Sequence, residues 1–307
     1  MREVRPYYLR PRTYQRTIYR RGELFQFDLW QPRREIPVGY GQTRPGFVVV
    51  GALGYSRFGA GALIFSKEAP DILWGLWRGL CQVGALPSRL VCDREGALHA
   101  GGGRPSDEFA AFAGQLPVGL RILDPGDCEA KGVVERLQGF METSFEPGRS
   151  FVSELDYQDQ LDRWFGERAN ARVHRTLRER PVDRLARERE RLRPLPALAP
   201  DLDRRLVLRV PPQPYVHFDR NDYSLDPRFV GRRVELRVSQ REVIAVALDT
   251  GEPVCRHQRR FAGRLALTDP AHQLTLERLR AERYRERRPA GEDVEVRDLS
   301  VYDRTAA

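Results

Sequence analysis

An α/β domain on a mixed five-stranded sheet with flanking helices, followed by a small β-barrel, is the architecture that the sequence predicts. Three observations carry the prediction. Between Glu23 and Phe145, segments with a two-residue hydrophobic period alternate with segments of helical period, the pattern of an α/β layer structure. Between residues 205 and 260 only short β-type runs occur, separated by turn signals at the spacing of a small barrel. The 307 residues, 41% hydrophobic with 26 glycines, suffice for two or three domains with cores of their own.

Taken in order, residues 1–22 form a basic arm rich in arginine and tyrosine, with Pro6 and Pro11 favouring an extended chain. Glu23–Trp30 alternates, with Phe25, Phe27 and Leu29 on one face and Gln26 and Asp28 on the other. A Pro/Gly-rich connection leads to two further strands, Phe47–Gly54 and Gly59–Phe65, with Ser56-Arg57 at their turn. Ala69–Val83 places Ile72, Leu73, Leu76, Leu80 and Val83 at helical spacing. Arg89–Cys92 is a short buried strand that ends at Asp93. Ser106 caps a helix through Phe109 and Phe112, Leu120–Leu123 is a fifth strand, and a helix runs from about Glu129 to Phe145. Three strands, helix, strand, helix, strand, helix is the order of an RNase H-like domain, assigned to residues 23–150.

Residues 151–200 read as a polar helix holding Leu155, Leu161, Trp164 and Phe165, a charged stretch Arg178–Arg193, and a linker with Pro194, Pro196 and Pro200. The small β domain, 201–262, contains Leu206–Val210, Tyr215–Phe218, Arg233–Val238 and Val243–Leu248, with turns at Arg220-Asn221 and Thr250-Gly251. A charged helix and a loose tail make up 263–307. No internal repeat is visible.

Composition narrows the function classes. The longest apolar run, Phe47 to Tyr55, is far short of the ~18 residues that cross a bilayer, and no secretory leader opens the chain. Cys81, Cys92, Cys128 and Cys255 form no C-x-x-C pair and, with five histidines, no zinc-finger spacing. A reducing cytoplasm and a protein without a membrane partner are the expectation. The formal charge is +9, and fifty of the 52 basic residues are arginine. Arginine-favouring codons alone explain much of such a bias. An anionic partner, most simply nucleic acid held through its phosphates, also explains it.

Three acids stand where the pattern makes acid expensive: Asp28 inside an apolar strand, Asp93 at the end of another, and Glu135 on a helix. Each alone reads as a solvated or salt-bridged acid; their order of strand, strand end and late helix is what joins them. At 100° per residue Val133, Val134, Leu137, Phe140, Met141 and Phe145 share one stripe, while Lys131, Glu135, Gln138 and Glu142 gather opposite. Gly132 and Gly139 lie near that polar face and serve either close approach of a nucleic-acid backbone or tight helix packing. Glu129 is a rival to Glu135 but points about 120° away from it. Three clustered carboxylates suit a pair of Mg²⁺ ions, with Mn²⁺ as a substitute, which stabilise the attacking and leaving oxygens when a phosphodiester is displaced.

The motifs Gly22-Glu-Leu-Phe-Gln-Phe-Asp28, Tyr55-Ser-Arg57, Val91-Cys-Asp-Arg-Glu-Gly-Ala-Leu98, Lys131-Gly-Val-Val-Glu-Arg136 and Asn170-Ala-Arg-Val-His-Arg175 resemble the integrase-core transposases of the IstA type. These are DDE recombinases related to retroviral integrases. Asn221–Leu225, Val254–His257 and Val294–Asp303 extend the likeness over nearly the whole chain. The resemblance implies an integrase catalytic core in which Asp28, Asp93 and Glu135 bind metal. It implies 3′-end cleavage of insertion-sequence DNA, transfer of the new 3′-hydroxyl to target DNA, a helper ATPase and a homo-oligomer assembled on the element's ends. Relatives carry an N-terminal helix-turn-helix region, and nothing like it precedes Gly22. A transposition-incompetent DNA-binding remnant and a structure-selective RNase H-fold nuclease are therefore the alternatives.

Lys131, Arg136 and Gln138 on the helix and Arg232 and Arg233 in the β domain are the candidate DNA contacts; a helix-face salt bridge is the rival role for Lys131. His174 is read as capping a turn. Trp74, Trp77 and Trp164 are read as core; Tyr7, Tyr8, Tyr14 and Tyr19 are either base-stacking residues or part of an unfolded arm severed from a missing domain.

Overall fold

The computed structural model describes residues 17–124 and 128–287. The expectations for the arm up to residue 16, for the side chain of Glu129 and for Val294–Asp303 lie outside the described residues. The described residues divide into two compact units: those up to 205 with 237–242 and 258–263, and 206–236 with 243–257 and 264–287.

In the first unit, β1 (Leu24–Trp30) is followed by a hairpin, β2 (Ile36–Gly39) and β3 (Gln42–Arg44), where sequence reading saw only a connection. The hairpin forms because Gly39, Tyr40 and Gly41 all take positive φ at its turn, while Ile36 and Val38 bury their side chains. Then come β4 (Phe47–Leu53), β5 (Gly59–Ile64), α1 (Ala69–Val83), β6 (Arg89–Cys92), α2 (Asp107–Gln115), β7 (Gly119–Ile122) and α3 (Cys128–Phe140). The sheet order is β5-β4-β1-β6-β7. β4 and β5 run antiparallel to their neighbours, whereas β1, β6 and β7 are parallel. This is the mixed five-stranded sheet of an RNase H-like core.

Alternation along β1 sends Phe25 and Phe27 into a core built with Ile72, Leu76 and Leu80 of α1 and Phe109 and Phe112 of α2. Ser106 caps α2 by accepting from the Phe109 N–H. Gly51 on β4 is required by this packing, since a Cβ there would stand 2.2 Å from the Phe25 ring. On the opposite face Val133, Val134 and Leu137 of α3 are buried, as the helical stripe predicts. The expected single helix to Phe145 is interrupted, however: Met141–Phe145 is wound as a π turn. A second π turn, Phe165–Ala169, follows α4 (Glu154–Trp164). The widened turns keep Met141, Phe145, Trp164 and Phe165 all buried. Trp74 and Trp77 pack partly buried against the other core.

Strand β5 lies at the edge of the sheet, and three side-chain carboxamides satisfy its outer hydrogen-bonding groups. Asn170 accepts from the Gly59 N–H (2.8 Å) and donates to the Gly59 carbonyl (2.9 Å). Gln82 accepts from the Gly61 N–H, and Gln158 donates to the Gly61 carbonyl and accepts from the Leu63 N–H. An amide presents the same donor and acceptor as a peptide unit, so these side chains stand in for a further strand and blunt the edge. The charged stretch expected at Arg178–Arg193 contains α5 (Pro181–Glu188). Its fully buried Glu188 accepts from the Gly22 and Ser56 N–H groups, both at 3.0 Å.

Beyond the linker lie β8 (Arg204–Arg209), β9 (Tyr215–Phe218), β10 (Asn221–Ser224), β11 (Arg233–Val238), β12 (Glu242–Ala247), β13 (Pro253–Gln258), β14 (Ala266–Leu267) and α6 (Pro270–Arg287). The small β domain consists of two sheets, β14-β10-β9 and β13-β12-β11-β8. Val234, Leu236, Val243, Ala245 and Val254 bury every second residue. The β9–β10 turn sits one residue earlier than the sequence suggests, at Asp219 and Arg220, both with positive φ. Asn221 is instead buried in β10, where its side chain accepts from the Leu265 N–H.

Candidate active site

Strand register creates the site. Parallel pairing aligns Leu24 with Arg89, Phe25 with Leu90 and Gln26 with Val91. Continued two residues past the ladder, the same offset sets Asp28 beside Asp93, the residue that follows β6. Because Phe25 and Phe27 face the α1–α2 core, Gln26 and Asp28 face the side covered by α3. Gln26 is buried there and accepts from the Val133 N–H (3.2 Å), which ties the helix to the strand.

The two acids are joined by one cation. Lys131 Nζ lies 2.9 Å from Asp28 Oδ2 and 2.6 Å from Asp93 Oδ2. Laid end to end, those distances put the two oxygens within about 5.5 Å of each other. Gln138 Nε2 adds a hydrogen bond to the same Asp28 oxygen at 3.0 Å. Burial opposes the charge on Lys131, but the hydrogen bonds to Asp93 and Asp28 outweigh it and hold the ammonium above the ordinary lysine range. Cys92 next door is pushed up to about 12, first by burial and then by Asp93, Asp28 and Glu95. It is therefore a thiol beside the two acids.

Lys131 and Gln138, seven residues apart on α3, both reach Asp28, so this stripe of the helix faces the acids. Glu135 lies on the stripe between them, with an exposed side chain. Among the described residues no three His, Cys, Asp or Glu side chains gather closely enough to hold a metal ion. The structure thus brings Asp28 and Asp93 together and leaves Glu135 outside their cluster. Two carboxylates that already share a cation fit a hard divalent ion such as Mg²⁺ or Mn²⁺ in donor chemistry. Glu142, farther along the stripe, lies 3.9 Å from Arg33.

The two glycines of α3 are not explained by packing. A Cβ on Gly139 would meet nothing within 4 Å, and one on Gly132 only the Arg136 guanidinium at 3.6 Å. Arg136 is exposed beside Glu135. In the second unit Arg233 is exposed, while Arg232 already makes a forked pair with Asp249 (2.7 and 3.0 Å) and lies over the Phe229 ring. His174 caps a turn, its Nδ1 accepting from the Leu177 N–H at 3.4 Å. Burial, then the charges of Arg172, Arg57, Arg136 and Arg184, lower it to about 4, so it is a neutral imidazole at pH 7. Sequence reasoning offers a salt bridge for Lys131 but not its place between two acids, and it misses the staple made by Asn170. The signal for the first was present, because Lys131 shares a helix stripe with the candidate acid.

Residues 195–269 match the family of Mu transposase C-terminal domains. Over 120 residues the chain is 32% identical to the transposase for insertion sequence element IS21 of Pseudomonas aeruginosa, covering 39% of this chain and 31% of that protein. The chain thus spans about a third of the length of the curated relative it matches. Among solved structures, the HTLV-2 integrase catalytic core domain in complex with magnesium is 11% identical, covering 53% of this chain and 95% of that one, with a TM-score of 0.41. A chain of the simian T-cell lymphotropic virus intasome in complex with PP2A regulatory subunit B56 gamma is 16% identical, with coverages of 85% of this chain and 84% of that one and a TM-score of 0.43. The chain is thus similar to an insertion-sequence transposase over part of its length and carries a segment that matches Mu transposase C-terminal domains.

Proposed function

We propose that the chain is a metal-dependent polynucleotidyl transferase that cleaves insertion-sequence DNA at its 3′ ends and joins the new 3′-hydroxyls to target DNA. The observation that carries this reading is the Asp28–Asp93 pair, set side by side by strand register and sharing one cation. Asp28 and Asp93 would hold Mg²⁺, or Mn²⁺ in its place, and Glu135, which stands outside their cluster with an exposed side chain, would join them by turning that side chain inward. When bound, such ions stabilise charge on the attacking and leaving oxygens of the phosphodiester. Gln138 orients Asp28 through the bond to its Oδ2. Lys131, released from the acids, offers a point charge to a DNA phosphate one helical turn from Glu135.

The glycines of α3 support a nucleic-acid partner. Each costs roughly 0.5–1 kcal/mol relative to alanine in a helix interior, and neither gains packing inside the chain. Backbone approach of a DNA strand along this face, with Arg136, Gln138 and Lys131 as contacts, accounts for both. Arg233 and Arg232 are assigned to phosphates of the same DNA, Arg232 by exchanging its Asp249 partner. Assembly as a homo-oligomer on the element's ends, a helper ATPase and a place at the cytoplasmic nucleoid complete the proposal.

The test is strand transfer on precleaved transposon-end oligonucleotides with Mg²⁺ or Mn²⁺. Joined products are expected from the wild-type chain and none from Asp93→Asn or Glu135→Gln. Hydrolysis without joining would assign a nuclease, and activity that survives Asp93→Asn would remove the reading.

A further inference from the structure

Beside α3, away from the acid pair, a polar cavity is lined by Arg57, Arg136, Arg172, His174, Asn170 and the apolar wall of Val133 and Leu137. Its cations are unusual in lacking counter-charge. Among the described residues no carboxylate pairs with Arg57, Arg136 or Arg172. Arg57 Nη1 and Arg172 Nε are enclosed and have no hydrogen-bond partner among the described residues, although the Arg57 guanidinium also bonds the Tyr19 side chain. Aromatic faces hold both guanidiniums in place: Arg57 lies 4.3 Å from the centroid of Tyr19, and Arg172 lies 3.2 Å from that of Phe140. Arg184 stands close behind, donating to the Tyr55 carbonyl, and its carboxylate neighbour Glu179 also pairs with Arg187.

This arrangement works against the folded chain unless something anionic enters. Burial disfavours the charge on Arg57 and Arg172; a hydrogen bond to the Tyr19 side chain offsets part of this for Arg57, while neighbouring arginines repel both. Arg57 moreover adopts φ +63°, a left-handed conformation that a non-glycine residue holds only under constraint. The one histidine in the cavity is kept neutral, so it adds a dipole without adding to the repulsion.

We propose that Arg57, Arg136 and Arg172 form a phosphate-binding pocket. A tetrahedral phosphate accepts from several guanidinium forks at once, and arginine is the side chain suited to that geometry. Two sources offer the group: free inorganic phosphate, or a phosphodiester of a DNA strand passing α3. Only the second rests on the transposase reading. In that case Arg136, adjacent to Glu135, anchors the backbone next to the reacting phosphodiester and sets its register without reading bases.

The experiment is free of divalent metal, so its failure and a failure of catalysis are separable. Melting temperature is measured with 20 mM inorganic phosphate against chloride of equal ionic strength, and duplex DNA binding is measured across a salt series. Wild-type protein is expected to melt about 3 °C higher in phosphate, the shift of a ligand roughly tenfold above its Kd. Exposed Arg136→Gln, which leaves the buried arginines in place, is expected to lose most of that shift. If DNA supplies the phosphate, the slope of log K against log salt falls by about one in Arg136→Gln and again in Arg172→Gln. A phosphate shift lost in Arg136→Gln with an unchanged DNA slope supports the pocket with the free anion as its ligand. No phosphate-specific shift together with an unchanged slope, or a shift that Arg136→Gln leaves intact, overturns the proposal.

Discussion

Replacing Lys131 with methionine keeps the length and apolar stem of the side chain and removes the charge that joins Asp28 to Asp93. The two carboxylate oxygens lie within about 5.5 Å. Bare repulsion at that separation is about 3 kcal/mol at an effective dielectric constant of 20 and under 1 kcal/mol in bulk water. Asp93 is 43% exposed and Asp28 17%, so the cost falls between those limits, at about 1–2 kcal/mol. For a unit of this size that lowers the melting temperature by roughly 2–8 °C in low salt. Because Lys131 is held above its ordinary range, its contribution is complete below the unfolded lysine pKa of about 10.5 and fades only at higher pH. The loss is therefore present in full at neutral pH. Millimolar Mg²⁺ or Mn²⁺ should restore the variant, and stabilise it more than wild type, because the ion no longer competes with the ammonium. The assay is thermal unfolding at pH 7 with and without divalent ions. A variant that melts with wild type, or that gains no more from the ions than wild type does, refutes the view that these acids form a cation site.

Other expectations follow from the same structure. Asn170→Ala removes two buried hydrogen bonds to Gly59 and leaves an edge peptide unsatisfied, so denaturant unfolding should show a loss of about 2–4 kcal/mol. Tyr157 is buried with an unpartnered hydroxyl, and Tyr157→Phe should be neutral or gain up to about 1 kcal/mol; a loss larger than that would mean the hydroxyl has a partner. His174, lowered to about 4 in the folded chain, binds its proton more readily when unfolded, so stability fades as pH falls from about 6.5 to 4. The half-buried ring limits that effect to about 1–2 kcal/mol after solvent screening, and the difference in melting temperature between His174→Gln and wild type should shift in favour of the variant over that interval. Gly139→Ala should raise stability by about 0.5–1 kcal/mol while weakening DNA binding; equal DNA affinity would remove backbone approach as the reason for the glycine.

Much of the core is legible one segment at a time. Ala69–Val83 forms the helix its periodicity demands, Ser106 caps the next one, and the α3 stripe buries the faces predicted. These are consequences of local period and capping chemistry, which act within one or two turns of chain. The π turns at Met141–Phe145 and Phe165–Ala169 were not legible, because they answer to the fit between two packed helices and the sheet rather than to any run of residue types. Asn170, within a recognisable motif, gave no sign that its amide would complete an edge strand more than a hundred residues earlier in the chain.

The order of the five core strands and the helices between them, the three acids worth watching and the arginine excess follow from the sequence itself, since each depends on residue type and spacing alone. Tertiary structure decided which acids meet and what lies between them. Asp28 and Asp93 become neighbours only when β1 and β6 pair in a single parallel register, and Lys131 reaches both only when α3 docks across Gln26. A slip of one residue would turn every side chain of β1 to the other face. Burial of Phe25 and Phe27 forbids that slip, and so the apolar side of the strand sets the chemistry of its polar side.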